Sequence, residues 1–337
     1  MNHRFEEIRA ERNGMSTHAT IRSVVTNDVH EQASGLAEWG QHYEQLSAGR
    51  FDGAVTEIRF LDTQIYGERS NQSVHMTGDG IPGTRNFTIP YDMSGSGSFH
   101  GHPLTDDSLL MFAYGDSLDC RTPRELRLAG VSFDTGVLAE HLESTSRDDV
   151  VHRLTGKHMV PAERGAIGRM RLLIVSMLAT LAGDPVLLED EAIQRNLQSS
   201  LLDNVSMLLA TSEELPPVPA SYSARRAIVE RTKNYVMANI GESLTIADLC
   251  RAAAVSRRNL EYCFNEVLAQ SPAQYLRTVR LNGVRRELRK EEASNVQSVA
   301  ARWGFWHMSR FAQSYHAMFG ELPSETLREK RTVRVSA

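Results

Sequence analysis

A helical unit occurs twice in the last third of this chain. In each copy a short helical segment is followed by a tight turn and a longer helical segment. The apolar positions of the longer segments recur 51 residues apart: Leu260 with Phe311, Phe264 with Tyr315, Val267 with Met318, and Pro272 with Pro323. Such self-similarity predicts a repeated supersecondary unit, here a duplicated helix-turn-helix at residues 244–268 and 296–320. Pro272 and an apolar stripe ending at Leu288 predict one connecting helix between the units.

The two longer helices each have an apolar side and a polar side. Apolar residues repeat at helical spacing, so they must point inward and leave the polar residues outward. Outward Arg, Asn, Gln, Ser and Tyr side chains can donate to or accept from base edges in a DNA major groove. The candidate DNA-binding residues are Arg257, Arg258, Glu261, Tyr262, Asn265, His307, Ser309, Arg310, Gln313 and His316. Two ordinary solvated helix faces are the alternative interpretation.

Charge is divided between the two parts of the chain. Residues 224–337 carry 19 Lys and Arg against 11 Asp and Glu, a net of +8, whereas residues 1–223 carry 18 against 31, a net of −13. A basic module joined to an acidic one indicates a polyanion-binding domain carried by a second domain. Three prolines within four positions predict an extended linker at residues 213–223. The polar residues 1–20 lack periodicity, and we expect them to be mobile.

Composition excludes several classes of protein. The chain has 337 residues, of which 41% are hydrophobic, so it can bury substantial cores. Its longest apolar stretch, residues 172–182, is shorter than a membrane-spanning helix requires. The residues that follow Met1 lack the apolar core of a secretory signal, so we expect none. Cys120, Cys250 and Cys263 are too few and too widely spaced for a disulfide framework or a zinc ribbon. We therefore expect a cytoplasmic protein.

Residues 224–337 resemble the DNA-binding domain of the AraC/XylS family of bacterial transcription regulators. The resemblance lies in four segments: LTIADLCRAAAVSRRNLEYCF (residues 244–264), RLNGVRREL (280–288), WGFWHMSRFAQSY (303–315) and FGELPSETL (319–327). It implies a homodimeric transcription regulator, more often an activator, that works with RNA polymerase. Each subunit would place two recognition helices in two successive major-groove boxes on one face of double-stranded DNA. Ala269-Gln270 departs from the family pattern, which usually has a glycine there.

Short alternating strands dominate residues 51–133. We predict strands at residues 55–61, 64–66, 85–89, 109–113 and 126–128, separated by glycine and proline. This pattern is typical of a small β-barrel or sandwich, and helical patterns follow it. The segment resembles the cupin-like sensor domain of AraC-family regulators. We therefore expect an α+β multidomain chain, in which residues 21–212 form a cupin-like barrel or sandwich with flanking helices, followed by the all-α domain at 224–337.

An apolar stripe at helical spacing follows the predicted strands. It comprises Ile193, Leu197, Leu201, Val205, Leu208 and Leu209. The stripe could form a homodimer contact or pack against its own domain, and the sequence favours neither.

The effector of a sensor domain cannot be read from these motifs directly. Residues 38–53, 56–58 and 81–85 resemble the ethanolamine-utilisation branch of the family, as does the segment around residues 303–308. That resemblance implies an ethanolamine-like amine. The alternative is a ligand-independent regulator controlled by a protein partner or by its own abundance.

A metal-dependent cupin enzyme with a DNA-binding appendage is the rival interpretation. His100 and His102, with Asp106 or Asp107, have a spacing that a metal site could use. However, the surrounding glycines indicate a turn, and no third imidazole follows in the expected pattern. Four charged residues could line a barrel mouth or be ordinary loop charges: Asp116, Asp119, Arg121 and Arg124. We therefore predict no metal, no cofactor and no catalytic residues.

Overall fold

The fold is taken from a computed structural model, which describes residues 19–116, 118–145, 159–212, 220–290, 292–293 and 295–333. The chain forms two compact units. The first comprises residues 1–43 and 52–216, and the second comprises residues 44–51 and 217–337. We predicted a mobile segment at residues 1–20. Residues 1–18 of it lie outside the described residues, and a strand begins at Thr20.

The first unit is built on two antiparallel sheets. Its strands are β1 (Thr20–Thr26), β2 (Gly40–Gln45), β3 (Gly53–Phe60), β4 (Thr63–Ser70), β5 (Val74–Asp79), β6 (Thr84–Ser94), β7 (Ser98–Phe99), β8 (His102–Pro103), β9 (Ser108–Ala113), β10 (Leu118–Arg121), β11 (Glu125–Asp134) and β12 (Met159–Pro161). The seven-stranded sheet has the order β1-β3-β4-β11-β6-β9-β12, and the five-stranded sheet has the order β2-β5-β10-β7-β8. Among the described strands, the first and last strands of each sheet are not paired with each other, so neither sheet closes on itself. The architecture is therefore sandwich-like, and the closed-barrel alternative is wrong.

Three helices pack in one apolar core with the larger sheet: α2 (Thr135–Ser144), α3 (Arg164–Gly183) and α4 (Glu191–Thr211), with a 3-10 turn at Pro185–Glu189. The short helix α1 (Val29–Ala33) precedes them in the chain and contacts β1 and β3. Ile58, Phe60 and Ile65 from the sheet lie in one apolar core with Ile174 and Leu178 from α3. Helix α3 is long and apolar enough to cross a membrane by length and composition alone. Its inward residues instead belong to this core.

The apolar stripe on α4 packs within its own unit. Leu201, Val205, Leu208 and Leu209 are at most 1% exposed and belong to the core beneath the larger sheet. Leu197 packs against the same core. Of the two interpretations of this stripe, the structure supports packing within the domain, so these side chains are not available as a dimer contact.

The second unit is helical. Its elements are α5 (Ala220–Ala238), α6 (Ile246–Ala253), α7 (Arg257–Leu268), α8 (Pro272–Leu288), α9 (Val296–Arg302), α10 (Met308–Phe319) and α11 (Pro323–Val333). Residues 213–219 of the predicted linker lie outside the described residues. Residues 220–223 differ from the prediction, because they contain no proline and form the first turn of α5.

Helix α8 joins two separate apolar cores. Tyr275 and Val279 from its first half lie with Leu260 and Phe264 in one core. Residues of its second half, such as Val284, lie with the apolar side of α10 in the other. The predicted connecting helix is confirmed, and it holds the two short-helix, turn and longer-helix arrangements in one body.

Candidate nucleic-acid interface

Capping and turn residues determine where the two helices of the first pair, α6 and α7, begin and end. Thr245 and Asp248 form a capping box at the start of α6, in which each side chain bonds the other residue's backbone N–H. These hydrogen bonds from Thr245 lower the pKa of Asp248 below its ordinary value. Ala254 takes a left-handed conformation with φ 56° and turns the chain, and the Ser256 hydroxyl accepts from Asn259 N at the start of α7. Helix α7 therefore begins directly after a tight turn.

The outward side of α7 carries the first five candidates. Arg258, Tyr262 and Asn265 are exposed, whereas Glu261 is partly buried. Arg257 is exposed and donates through Nε to Glu261 Oε1 at 2.9 Å, and this hydrogen bond raises the pKa of the guanidinium. This bond uses only Nε, so a contact of Arg257 with DNA would use its Nη groups. The inward residues Leu260, Cys263, Phe264 and Val267 are at most 5% exposed, as predicted.

The second helix pair repeats the arrangement with different turn chemistry. Gly304, with φ 77°, makes the turn between α9 and α10. His307 occupies the cap position of α10 without a side-chain capping bond. The five candidates of this pair are all exposed: His307, Ser309, Arg310, Gln313 and His316. The exposed face of α10 is therefore polar along its length.

The buried side of α10 is held by aromatic rings packed edge to face. Tyr315 lies between Phe311, at a centroid distance of 5.7 Å, and Phe319, at 4.7 Å. Its hydroxyl is 2.8 Å from Thr326 Oγ1 of α11. Burial raises the pKa of Tyr315 to about 12, so it remains neutral. These contacts fix the rotation of α10 about its axis and so determine which residues face outward.

A buried ion pair connects α8 to the end of α10. Arg285 Nη1 lies 2.7 Å from Glu321 Oε1, and both side chains are at least nine-tenths buried. The Arg285 guanidinium also lies 4.8 Å from the centroid of the Phe319 ring. Removing one partner of such a pair leaves an uncompensated buried charge. Both charged residues belong to the sequence segments that carry the family resemblance, and their role here is structural.

Two groups near this surface were not predicted. Trp306 is 66% exposed immediately before α10, and the Arg225 guanidinium lies 5.5 Å from the Tyr262 ring centroid. The sequence shows Trp306 only as part of a motif. Its exposure could not be assigned, because a tryptophan beside a helix is more often buried.

The charged and histidine residues singled out in the first unit are engaged locally. Asp119 Oδ1 lies 3.0 Å from His75 Nε2, Asp116 accepts from Ala113 N, and Arg121 donates to Ser96 O. His100 has φ 47° in the turn between β7 and β8. Within the part of the chain that the structure describes, no group of three or more His, Cys, Asp and Glu residues is placed to hold a metal ion.

Similarity to known proteins concentrates on the helical unit. Residues 249–329 match a helix-turn-helix domain family, and this range contains all ten candidate DNA-binding residues. Over 105 residues the chain is 36% identical to XylDLEGF operon transcriptional activator 3 of Pseudomonas putida, covering 30% of this chain and 31% of that protein. The helical unit contains an AraC-type helix-turn-helix domain. A solved structure of a probable AraC family transcriptional regulator from Rhodopseudomonas palustris CGA009 is 31% identical over 31% of this chain and 96% of that chain, with a TM-score of 0.29.

Another match extends further along the chain. The probable thc operon regulatory protein of Rhodococcus erythropolis is 29% identical over 206 residues, 58% of this chain. This length exceeds that of residues 217–337, so the similarity includes residues of the first unit. The chain spans 62% of the length of this relative and 31% of the Pseudomonas activator.

Proposed function

We propose that the chain is a sequence-specific DNA-binding transcription activator, regulated by a small molecule that binds its N-terminal unit. The observation that carries this proposal is the pair of twelve-residue helices α7 and α10. Each follows a tight turn, buries one apolar side and exposes polar side chains that can bond base edges. The AraC-type domain and the net charge of +8 on residues 224–337 support it.

The proposed complex places α7 and α10 in two successive major grooves. The two arrangements act as a duplicated helix-turn-helix, and their recognition helices meet boxes about 10 bp apart, one turn of DNA. Arg258 and Arg310 are exposed on these helices and are the residues assigned to read guanine, because a guanidinium can donate two bonds to its O6 and N7. The other eight candidates contribute further base or phosphate contacts.

The proposal extends to the regulatory partners. We assign the first unit to a cupin-like sensor and the whole chain to a cytoplasmic homodimer that contacts RNA polymerase at its promoters. An effector can change DNA binding only as far as it binds the two states of the protein with different affinity. A regulator without an effector would bind DNA with the same affinity whichever metabolite is added.

The DNA assignment is tested with the full chain. Selection from a random DNA pool gives the preferred site, and titration then measures the affinity of Arg258→Ala and Arg310→Ala for that site and for random DNA. Each substitution should weaken specific binding by about 1–3 kcal/mol, or about 5- to 150-fold. Binding to random DNA should change far less.

Arg195→Ala is the matched control, because Arg195 is an exposed helical arginine in the first unit, paired with Glu191. It should leave both affinities unchanged. Equal losses on specific and random DNA would show that Arg258 and Arg310 contact phosphates only. Failure to enrich any sequence would contradict the proposed function itself.

A further inference from the structure

The turn of the second helix pair contains one residue more than the turn of the first pair. Val255 and Phe305 occupy matching places, because each follows a left-handed residue and donates its backbone N–H to the carbonyl five residues earlier, at 3.1 Å and 2.9 Å. Ser256, the cap of α7, directly follows Val255. In the second pair, Trp306 stands between Phe305 and His307, the cap of α10. Trp306 therefore has no counterpart in the first pair.

Phe305 supplies the packing of this turn, and Trp306 does not. Val255 packs against the core of the first pair and Phe305 against the core of the second, where its ring centroid lies 4.9 Å from that of Phe311. The Trp306 side chain is 66% exposed. Over the residues that the structure describes, no hydrogen bond, ring contact or cation–π contact involves this indole. Folding of the unit therefore does not explain an indole at this position.

The neighbouring tryptophan shows what a structural indole does in this unit. The Trp303 ring lies against Gly283 of α8 so closely that a Cβ there would come within 2.1 Å of it. Its Nε1 donates to Glu287 Oε2 at 2.6 Å. Both the ring and the N–H of Trp303 are used within the unit, whereas the Trp306 ring remains available to another molecule.

The position of Trp306 points to DNA as that molecule. It directly precedes the cap of α10, and the N-terminal residues of a recognition helix are those that contact base edges in the major groove. His307 and Arg310, two of the candidate DNA-binding residues, are exposed close to it in the chain. The indole carries no charge, so attraction to phosphate does not explain it. The apolar group that the major groove presents is the C5-methyl of thymine.

We infer that the Trp306 ring contacts the C5-methyl group of a thymine in the box read by α10. Apolar side chains recognise thymine in this way, and the contact removes exposed apolar area of both groups from water. It distinguishes thymine from cytosine, which carries only hydrogen at that ring atom, so Trp306 is a specificity-determining residue. This inference rests on the proposed function, in which α10 enters the major groove.

The test combines a protein variant with changes of single thymines in the DNA. Uracil replaces each thymine of the selected site in turn, because uracil pairs as thymine does but lacks the methyl group. For the parent full chain, one such replacement, in the box that Arg310→Ala affects, should weaken binding about fourfold. Trp306→Ala should weaken binding to the selected site about tenfold or more. The same uracil replacement should then have no further effect, which is the coupling expected of two groups in contact.

Three further measurements separate base recognition from a structural role. Tyr114→Ala removes an aromatic ring that is 54% exposed in the first unit, and it should bind every DNA as the parent does. The unfolding midpoint of Trp306→Ala without DNA should equal that of the parent, because the indole is exposed. Trp306→Phe keeps an aromatic ring and should retain part of the uracil effect.

The role of Trp306 is overturned by parent-like binding of Trp306→Ala or by uracil effects that persist in that variant. An equal loss on selected and random DNA would place the ring on the sugar-phosphate backbone and also reject the thymine contact. A selected box without thymine, or a loss of affinity that accompanies a lower unfolding midpoint, would do the same. If the parent enriches no DNA sequence, the proposed function itself fails, whereas an enriched site without the coupling rejects only the role of Trp306.

Discussion

At the scale of single residues, the two longer helices end differently. Ala269 and Gly320 stand 51 residues apart and both cap a helix in the left-handed conformation, with φ 52° and 72°. Glycine takes this conformation freely, whereas the Cβ of alanine is strained there. The next residue, Gln270, forms a hydrogen bond, in which its Nε2 donates to Leu46 O at 2.8 Å. At the point where the sequence departs from the family pattern, Ala269 therefore has a strained backbone and Gln270 forms a side-chain hydrogen bond.

Ala269→Gly should therefore stabilise the protein. Relief of the left-handed strain outweighs the greater flexibility of glycine in the unfolded chain, giving a net gain of about 0.5–1 kcal/mol. Chemical denaturation of both proteins, followed by a helical signal, measures the difference. Ala317→Gly, at an exposed position inside α10, is the control and should lose about 1 kcal/mol. A loss at both positions would contradict the strain argument.

At the scale of elements, the helical unit includes a segment that is distant in sequence. Residues 44–51 belong to it, and Asn282 of α8 binds the backbone of Gln45. Asn282 Oδ1 accepts from Gln45 N at 3.1 Å, and its Nδ2 donates to Gln45 O at 3.0 Å. Gly49 N donates to Met318 O at 3.0 Å. Asn282 is 2% exposed and Gln45 is 1% exposed, so these bonds are shielded from water.

Asn282→Ala should loosen this segment. The substitution leaves the buried N–H and C=O groups of Gln45 without their partner, at about 1–3 kcal/mol for each group. Hydrogen exchange should show faster exchange of the Gln45 and Gly49 amides, and the unfolding midpoint should fall. Asn265→Ala, on the exposed side of α7, should change neither. Unchanged exchange at Gln45 in the Asn282 variant would show that the segment is held by other contacts.

The sequence predicts those helices and strands whose own residues carry a start, a stop or an apolar period. Helix α8 has its proline start and apolar stripe, and β3 and β9 have runs of β-branched or apolar residues between turns. The short strands of the smaller sheet, such as β7 and β8, are too brief to show a period. The contacts of the Trp39 ring with Tyr66 and Phe112 also escape prediction, because these residues come from separate stretches that only the sheet topology brings together. Segment 44–51 escapes for the same reason, since its contacts are more than 200 residues away along the chain.

At the scale of the whole molecule, the division of charge gives each part of the chain a different relation to DNA. The basic residues 224–337 attract the phosphate backbone, whereas the acidic residues 1–223 are repelled by it. Non-specific binding should therefore weaken as salt is added, because neutralised phosphates release counterions. Removing an arginine that contacts only bases should leave this salt dependence unchanged.

The proposed duplicated helix-turn-helix predicts a footprint with two parts. Each subunit should protect two boxes about 10 bp apart, centre to centre, and a homodimer should protect two such pairs. Because Arg258 and Arg310 lie on different helices, Arg258→Ala should weaken protection at one box and Arg310→Ala at the other. Footprinting of the full chain on its selected site, with Arg195→Ala as the unchanged control, distinguishes the two. A single short box, or an unchanged footprint in one of the two variants, would mean that only one of the two helices reads the sequence.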